Sequence, residues 1–281
     1  MDPATSPDWL GAARRAASGI RHLLAERPTI AERVRETGTR GEGGDRTLLI
    51  DEAAEALIFA QLEQLHAEGV RFTAVSEERG VVHYGSEDLV VVIDPIDGSL
   101  NAKRGLPHHA VSIAVAEGPT MADVVFGFVQ DFGPDEEWVA WRGHGARLNG
   151  MPLDATLGER RVGERLEVIG VESADPRWVA ASADELARVA HRIRAIGTMA
   201  SAICQVAGAR FDGMVSLRNC RAVDAAAAQL IAREAGARVA FVAYDDPLAA
   251  PLDIEPHSPV VAARSDAALA ELARVPVTMK R

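Results

Sequence analysis

Two cysteines, Cys204 and Cys220, are all that this chain of 281 residues carries. No CxxC spacing relates them, so a disulfide scaffold is not expected and a reduced, cytoplasmic protein is. No apolar run approaches the length of a membrane-spanning helix, so no membrane partner is expected. Positive charge is also short: 30 Lys and Arg against 41 Asp and Glu leave a formal net charge of −11. That balance argues against nucleic acid and anionic membranes, both of which call for a basic face. It does not exclude an anionic small substrate, because bound divalent cations invert the local field. Met1 to Ile20 contains Asp2, Asp8, Arg14 and Arg15 and lacks a continuous apolar core, so no signal peptide is expected. Internal repeats and low-complexity tails are missing as well.

What is present is an ordinary globular composition, 48% hydrophobic and 25% charged. The length suits one large α/β domain or two modest lobes sharing a core. The stretch Val90-Val91-Val92-Ile93 reads as a central strand covered on both faces. It runs directly into Asp94-Pro95-Ile96-Asp97-Gly98-Ser99-Leu100-Asn101. There a proline fixes one torsion, a glycine frees another, and two acids stand three residues apart. Two acids leaving a buried strand end are suited to holding a cation.

Around this stretch, helical spacing is expected for Trp9 to Leu24 and for Asp51 to Glu68, and a strand for Val70 to Val75. Gly38 to Asp45 reads as a glycine-rich loop, either a connector or a gate over the substrate. His109–Ala116, Asp123–Gln130 and Glu137–Trp141 alternate like an antiparallel sheet. The polar run 151–163 marks a boundary between an N-terminal α+β lobe, 1–155, and a smaller C-terminal α/β lobe, 156–281. The second half reads as strand 165–171, one helix over 176–189, strand 193–196, helix 199–207 and strand 211–216. An alanine-rich helix over 222–235, strands 238–243 and 260–263 and a closing helix 266–273 complete it.

The acids gather at element ends: Glu77 and Glu78 after one strand, Asp94 and Asp97 after another. Asp51 and Asp224 stand at helix starts. Strand carboxyl ends and helix N-termini open on one crevice in α/β sheets. Carboxylates crowded there cannot all stay ionised without a cation, and an all-oxygen set selects magnesium over softer metals. Taken singly, each acid has a plainer explanation as a turn residue, a solvated loop or a helix cap. Gly98, Ser99 and Leu100 offer successive backbone N–H groups to a phosphate.

These motifs resemble the inositol monophosphatase superfamily of magnesium-dependent, lithium-sensitive phosphatases, over most of the chain from about Gly41 to Ala263. Asp94 to Asn101 is similar to its Asp-Pro-Ile-Asp-Gly-Thr-x-Asn motif, and Ser76-Glu77-Glu78 to its Glu-Glu element. Val223-Asp224-Ala225-Ala226-Ala227 with Glu234-Ala235-Gly236 resembles its Trp-Asp-x-Ala…Glu-Ala-Gly element. Gly145 to Gly150 and Gly197-Thr198-Met199-Ala200 match supporting motifs. The resemblance implies a layered α-β-α-β-α sandwich and often a homodimer. It implies two or three magnesium ions, one held by Glu77, Asp94 and the Ile96 carbonyl, another by Asp94, Asp97 and Asp224. Asp51, with Thr47 or Ser99, would position the attacking water, and Glu77 would serve catalysis as well as the metal. Gly98, Ser99, Thr198 and Arg221 would contact a small phosphorylated metabolite.

Some residues depart from the pattern. Ser99 stands for the commoner threonine and keeps the hydroxyl; Val223 stands for tryptophan at what looks like a packing position. Gly43 to Thr47, Asn101-Ala102 and Arg221 lie closer to archaeal-type phosphatases acting on inositol phosphate and fructose 1,6-bisphosphate. Arg221 would meet a second phosphate or the polyol, the plain alternative being a surface arginine. Same-chemistry alternatives are 3′-phosphoadenosine 5′-phosphate or histidinol phosphate as substrate. An alternative of another class is a metal-binding relative without turnover. His108-His109 is expected to be structural or at the rim, Cys220 a bystander, and Trp138 and Trp141 packing residues.

Overall fold

The computed structural model describes residues 3–27, 29–40, 42 and 46–275; the side chains of residues 36, 37, 39, 40 and 46–48 are not described. Helices α1 (Trp9–Glu26) and α2 (Ile30–Arg33) precede a two-stranded hairpin of β1 (Glu36–Arg40) and β2 (Arg46–Leu48). Helix α3 (Leu49–Ala67) leads into β3 (Thr73–Ser76), β4 (Gly80–His83) and β5 (Val90–Asp97), and the short α4 (Ser99–Arg104) follows. A meander of β6 (Ala110–Ala116), β7 (Val124–Asp131), β8 (Glu136–Trp141), β9 (Ala146–Leu148) and β10 (Met151–Pro152) completes an eight-stranded sheet in the order β10-β9-β8-β7-β6-β5-β3-β4.

The second half supplies β11 (Arg161–Val162), β12 (Arg165–Glu172), α5 (Pro176–Ala181), α6 (Ala183–Val189), β13 (Ala190–Arg194), α7 (Met199–Ala207) and β14 (Gly213–Ser216). Helix α8 (Ala222–Glu234), β15 (Arg238–Phe241), β16 (Val260–Ala263) and α9 (Asp266–Leu272) follow. Its sheet runs β11-β12-β14-β16-β15, with β13 parallel to β12.

Three apolar clusters define the layers. Trp9, Ile20, Ile58 and Phe59 of α1 and α3 pack on Val91, Ile93 and Phe126 of the first sheet. The other face of that sheet, through Val90, Val92, Ala110 and Ala114, meets Ile203 of α7 and Ala226 and Leu230 of α8. Those helices in turn cover Met214 and Ala262 of the second sheet, whose far side holds Leu186 of α6 and Leu272 of α9. The result is the expected α-β-α-β-α sandwich. The middle helices come from the second half yet pack on the first sheet, so residues on both sides of position 155 share one apolar cluster.

Several local expectations change. Strands β6 and β7 are buried on both faces rather than alternating, because helices cover both sides. Residues 38–40, expected to loop, belong to β1, which pairs with β2. The single helix over 176–189 is two helices meeting at Ser182, whose φ and ψ of −100° and 4° leave the helical region. The strand proposed for 193–196 lies at Ala190–Arg194 instead, since the N–H groups of Ile196 and Gly197 are taken by the carboxylate of Glu172, each at 2.9 Å.

Helix α8 approaches the first sheet very closely, which explains its alanines. A Cβ on Gly127 of β7 would lie 2.6 Å from the carbonyl oxygen of Ala227. Gly127→Ala must therefore push two packed layers apart. It is expected to cost about 1–3 kcal/mol, read from the shift in the midpoint of chemical denaturation.

Candidate active site

The pairing of β5 with β6 slips by one residue at the acidic motif: Asp94 faces Ser112 and Asp97 faces Ala110. In a regular strand, residues three apart point to opposite faces. Here the extra residue is a β-bulge, and both aspartates stand opposite residues of one face of β6. That face is the one covered by α7 and α8. Pro95, which has no N–H to donate, sits within the irregularity, where a proline costs the ladder least. Asp94 and Asp97 are buried, and Ile96 between them packs on the α1–α3 side.

Glu77 follows β3, and Asp224 sits in the first turn of α8. The guanidinium of Arg221 joins them, at 2.7 Å from Glu77 Oε1 and 3.0 Å from Asp224 Oδ1. The backbone N–H of Arg221 also donates to Asp224 at 2.8 Å. Its side chain is 18% exposed, so Arg221 is not the surface arginine of the plain alternative. Asp97 turns to the N-terminus of α7, accepting the Thr198 hydroxyl and the N–H groups of Met199 (3.2 Å) and Ala200 (2.6 Å).

Electrostatics follow from this crowding. Burial pushes Glu77 up to about 7 against the pull of Arg221, and Asp224 adds to the rise. Burial likewise carries Asp97 to about 7, although the Thr198 hydroxyl and the α7 amides favour its charged form. Asp94 is raised well above the ordinary range by burial, with Glu77, Asp97 and Asp224 all contributing. Burial disfavours the charge of Arg221, but Asp224 and Glu77 outweigh it and hold the guanidinium above its usual value.

A hard divalent cation suits this donor set, which is all oxygen, largely buried and short of positive charge. Among the described residues, no group of three His, Cys, Asp or Glu side chains is arranged to hold an ion as it stands. Arg221 occupies two of the carboxylates, so a cation held by Glu77, or one held by Asp224, has to displace its guanidinium from that oxygen.

Gly98 and Ser99 follow Asp97 directly in the chain. Ser99 Oγ donates to the Ile96 carbonyl at 2.8 Å, and Gly98 adopts φ 85°, a left-handed conformation open to glycine. A Cβ on Gly98 would lie 3.0 Å from the Gly197 carbonyl and 3.2 Å from that of His108. Asp51 is buried in the first turn of α3. Thr47 lies in β2 by its backbone, and its side chain is outside the described residues, as is most of the Gly41–Asp45 stretch considered as a gate. A cavity of 760 Å³ opens beyond Asp97 and Asp224, lined also by Asn101, His108, Glu172 and Thr198.

Two residues escaped sequence reasoning. Glu55, 1% exposed, accepts from Ser76 Oγ at 2.5 Å and from Arg79 N and Nε at 3.1 and 3.0 Å, which anchors the loop bearing Glu77. Its signal was an acid one turn after Asp51 on an otherwise apolar stripe. Glu172 gave none, being an acid after a strand like many others. Glu234, by contrast, is a motif residue with a structural task, since it accepts the N–H groups of Gly143 (2.9 Å) and Gly145 (2.8 Å).

The model of the inositol monophosphatase family matches residues 8–276. The chain belongs to that family. A fructose-1,6-bisphosphatase/inositol-1-monophosphatase of Methanothermobacter thermautotrophicus is 33% identical over 249 residues, covering 81% of this chain and 82% of the relative. The Nus factor SuhB of Escherichia coli is 31% identical over 231 residues, covering 81% and 82%. A crystal structure of an inositol monophosphatase–fructose 1,6-bisphosphatase superposes with a TM-score of 0.79 at 25% identity, covering 95% of this chain and 99% of the other. This family member thus carries its motif acids on the buried face of β5 and around Arg221.

The raised carboxyls make a stability prediction. A carboxyl whose folded value lies above its unfolded one costs stability once pH exceeds the unfolded value, near 4, and the cost grows until the folded value is passed. With Glu77 and Asp97 at about 7, the chelated protein is expected to lose thermal stability between pH 5 and about 7.5. Magnesium is expected to flatten that slope. Melting curves across pH, with chelator and with magnesium, measure it.

Proposed function

We propose that this protein is a magnesium-dependent phosphomonoesterase acting on a sugar or polyol phosphate, inositol 1-phosphate or fructose 1,6-bisphosphate. The observation that carries the reading is the convergence of Glu77, Asp94, Asp97 and Asp224, of which Asp97 and Asp224 line a 760 Å³ cavity. The likeness to the fructose-1,6-bisphosphatase/inositol-1-monophosphatase of Methanothermobacter thermautotrophicus supports it.

In this reading two or three magnesium ions are held by Glu77, Asp94 and the Ile96 carbonyl on one side and by Asp94, Asp97 and Asp224 on the other. Bound there, magnesium supplies charge compensation for the phosphate and a more acidic water. The chain's own groups do the rest. The turn at Gly98 and Ser99 receives the phosphate through backbone N–H groups, with glycine letting it approach. Asp51, with Ser99 or Thr47, accepts from the water and aims it in line at phosphorus. Thr198 and the α7 amides hold Asp97 in orientation. Arg221 is the cation placed to meet substrate charge when metal takes over Glu77 and Asp224.

The same geometry would serve 3′-phosphoadenosine 5′-phosphate or histidinol phosphate, and side-by-side kinetics on these substrates separate the possibilities. The Nus factor relatives carry a name from another class. For that class, or for a metal-binding relative without turnover, calorimetric magnesium binding without phosphate release is the expected signature. A cytoplasmic homodimer belongs to the proposed reading as well, with sedimentation as its check.

The decisive experiment is Asp94→Asn, which removes the proposed shared ligand. Magnesium-dependent phosphate release should fall by about a hundredfold or more, while the fold is kept because a buried repulsion is relieved. Undiminished release from both inositol 1-phosphate and fructose 1,6-bisphosphate would refute the assignment.

A further inference from the structure

His108 lies outside every motif quoted above, yet it lines the cavity. Its backbone is left-handed, with φ 65°, a conformation that costs a non-glycine residue energy and is kept where surroundings impose it. Two contacts impose it here. Asn101 Nδ2 donates to the His108 carbonyl at 2.9 Å, and the ring Nδ1 lies 3.0 Å from Asp131 Oδ2. Asp131 ends β7, is completely buried, and accepts the Gly133 N–H on its other oxygen at 3.2 Å. A carboxylate on Nδ1 sets ring orientation and tautomer together: the proton stays on Nδ1, and Nε2 is the atom left to meet a ligand. The side chain is 32% exposed, so its free edge is reached by solvent.

The position of this ring matters. The His108 carbonyl lies 3.2 Å from where a Cβ on Gly98 would stand, so the loop bearing this ring packs against the turn proposed to receive the phosphate. Glu172 lines the same cavity as His108. Its oxygens accept the Ile196 and Gly197 amides, and each keeps a lone pair for another donor. No Lys or Arg is among the described residues lining the cavity, whereas Glu172 and Asp175 are. A second phosphate there would meet Glu172 and an Asp175 already paired with Arg177 at 2.7 Å, with Arg221 held on Asp224 at the far end. Hydroxyl groups would meet acceptors.

We propose that His108, oriented by Asp131, is a specificity-determining residue that accepts a hydroxyl of the substrate's alcohol, with Glu172 as the opposite wall. The class selected is a polyhydroxylated alcohol bearing a single phosphate. This rests on the phosphatase reading above. Asp131 acts through the ring and is a positioning residue.

The test uses the full chain with saturating magnesium and three substrates: inositol 1-phosphate, fructose 1,6-bisphosphate and p-nitrophenyl phosphate, whose leaving group has no neighbouring hydroxyl. His108→Phe is expected to raise KM for inositol 1-phosphate about tenfold, with kcat within about twofold and p-nitrophenyl phosphate unaffected. Asp131→Asn, which keeps the ring but frees its tautomer, is expected to shift the same KM in the same direction, and it carries the test if the first variant does not fold. The unaltered protein is expected to prefer inositol 1-phosphate to fructose 1,6-bisphosphate in kcat/KM. Equal changes on inositol 1-phosphate and p-nitrophenyl phosphate, an unchanged KM, or a preference for the bisphosphate each overturn the proposal while leaving the phosphatase reading intact. Failure of the unaltered protein to hydrolyse any of the three overturns that reading, and the proposal with it.

Discussion

Carboxylates gathered in a dry place repel one another, and much of this fold is arranged around keeping several of them together. Asp94 and Asp97 are fully inside, and Glu77 and Asp224 are close enough to raise Asp94 further. Such a cluster is stable only if other contacts over-determine it. The apolar layers on either side of β5 supply those contacts. Arg221 compensates part of the charge, and its guanidinium links a loop of the first sheet to the middle helix layer.

Two acids perform a second task, holding the turn between β13 and α7. Asp97 reaches it from the first sheet and Glu172 from the second. Asn101 adds a third tie through the Ile196 carbonyl at 2.7 Å. The proposed phosphate seat and the wall of the cavity are therefore one braced unit. A change at Glu172 would reach Thr198 and, through it, Asp97.

Local features were legible in the sequence. Four β-branched residues followed by acids identified β5, and helical spacing located α1, α3, α7 and α8, because burial periodicity is a property of adjacent residues. Features that depend on a partner far along the chain were not. The bulge is a relation between β5 and β6, hinted at only by Pro95. Arg221 was expected to meet substrate, with a surface place as the alternative, and its pairing with Glu77 went unread because that partner lies in a distant loop. Residues 195 and 196 read as strand because nothing local announces that Glu172 will take the amides of Ile196 and Gly197. His108 read as rim or structural for the same reason: Asp131 becomes its neighbour only once β6 and β7 pair, which sets Ala110 opposite Asp131. His109, which is buried beside Phe132, does fit that expectation.

Helix α8 packs between the two sheets. Its buried surface is mostly alanine, and alanines make no knobs to lodge in the sheet opposite. A smooth rod against a flat sheet has little to stop it sliding along its axis. Gln229, wholly enclosed, donates from Nε2 to the Met121 carbonyl at 3.0 Å and so pins the rod at one point. Asp224 rides on the same helix, little more than one turn away. The distance between Asp224 and the acids of β5 is thus calibrated by an amide that touches none of them.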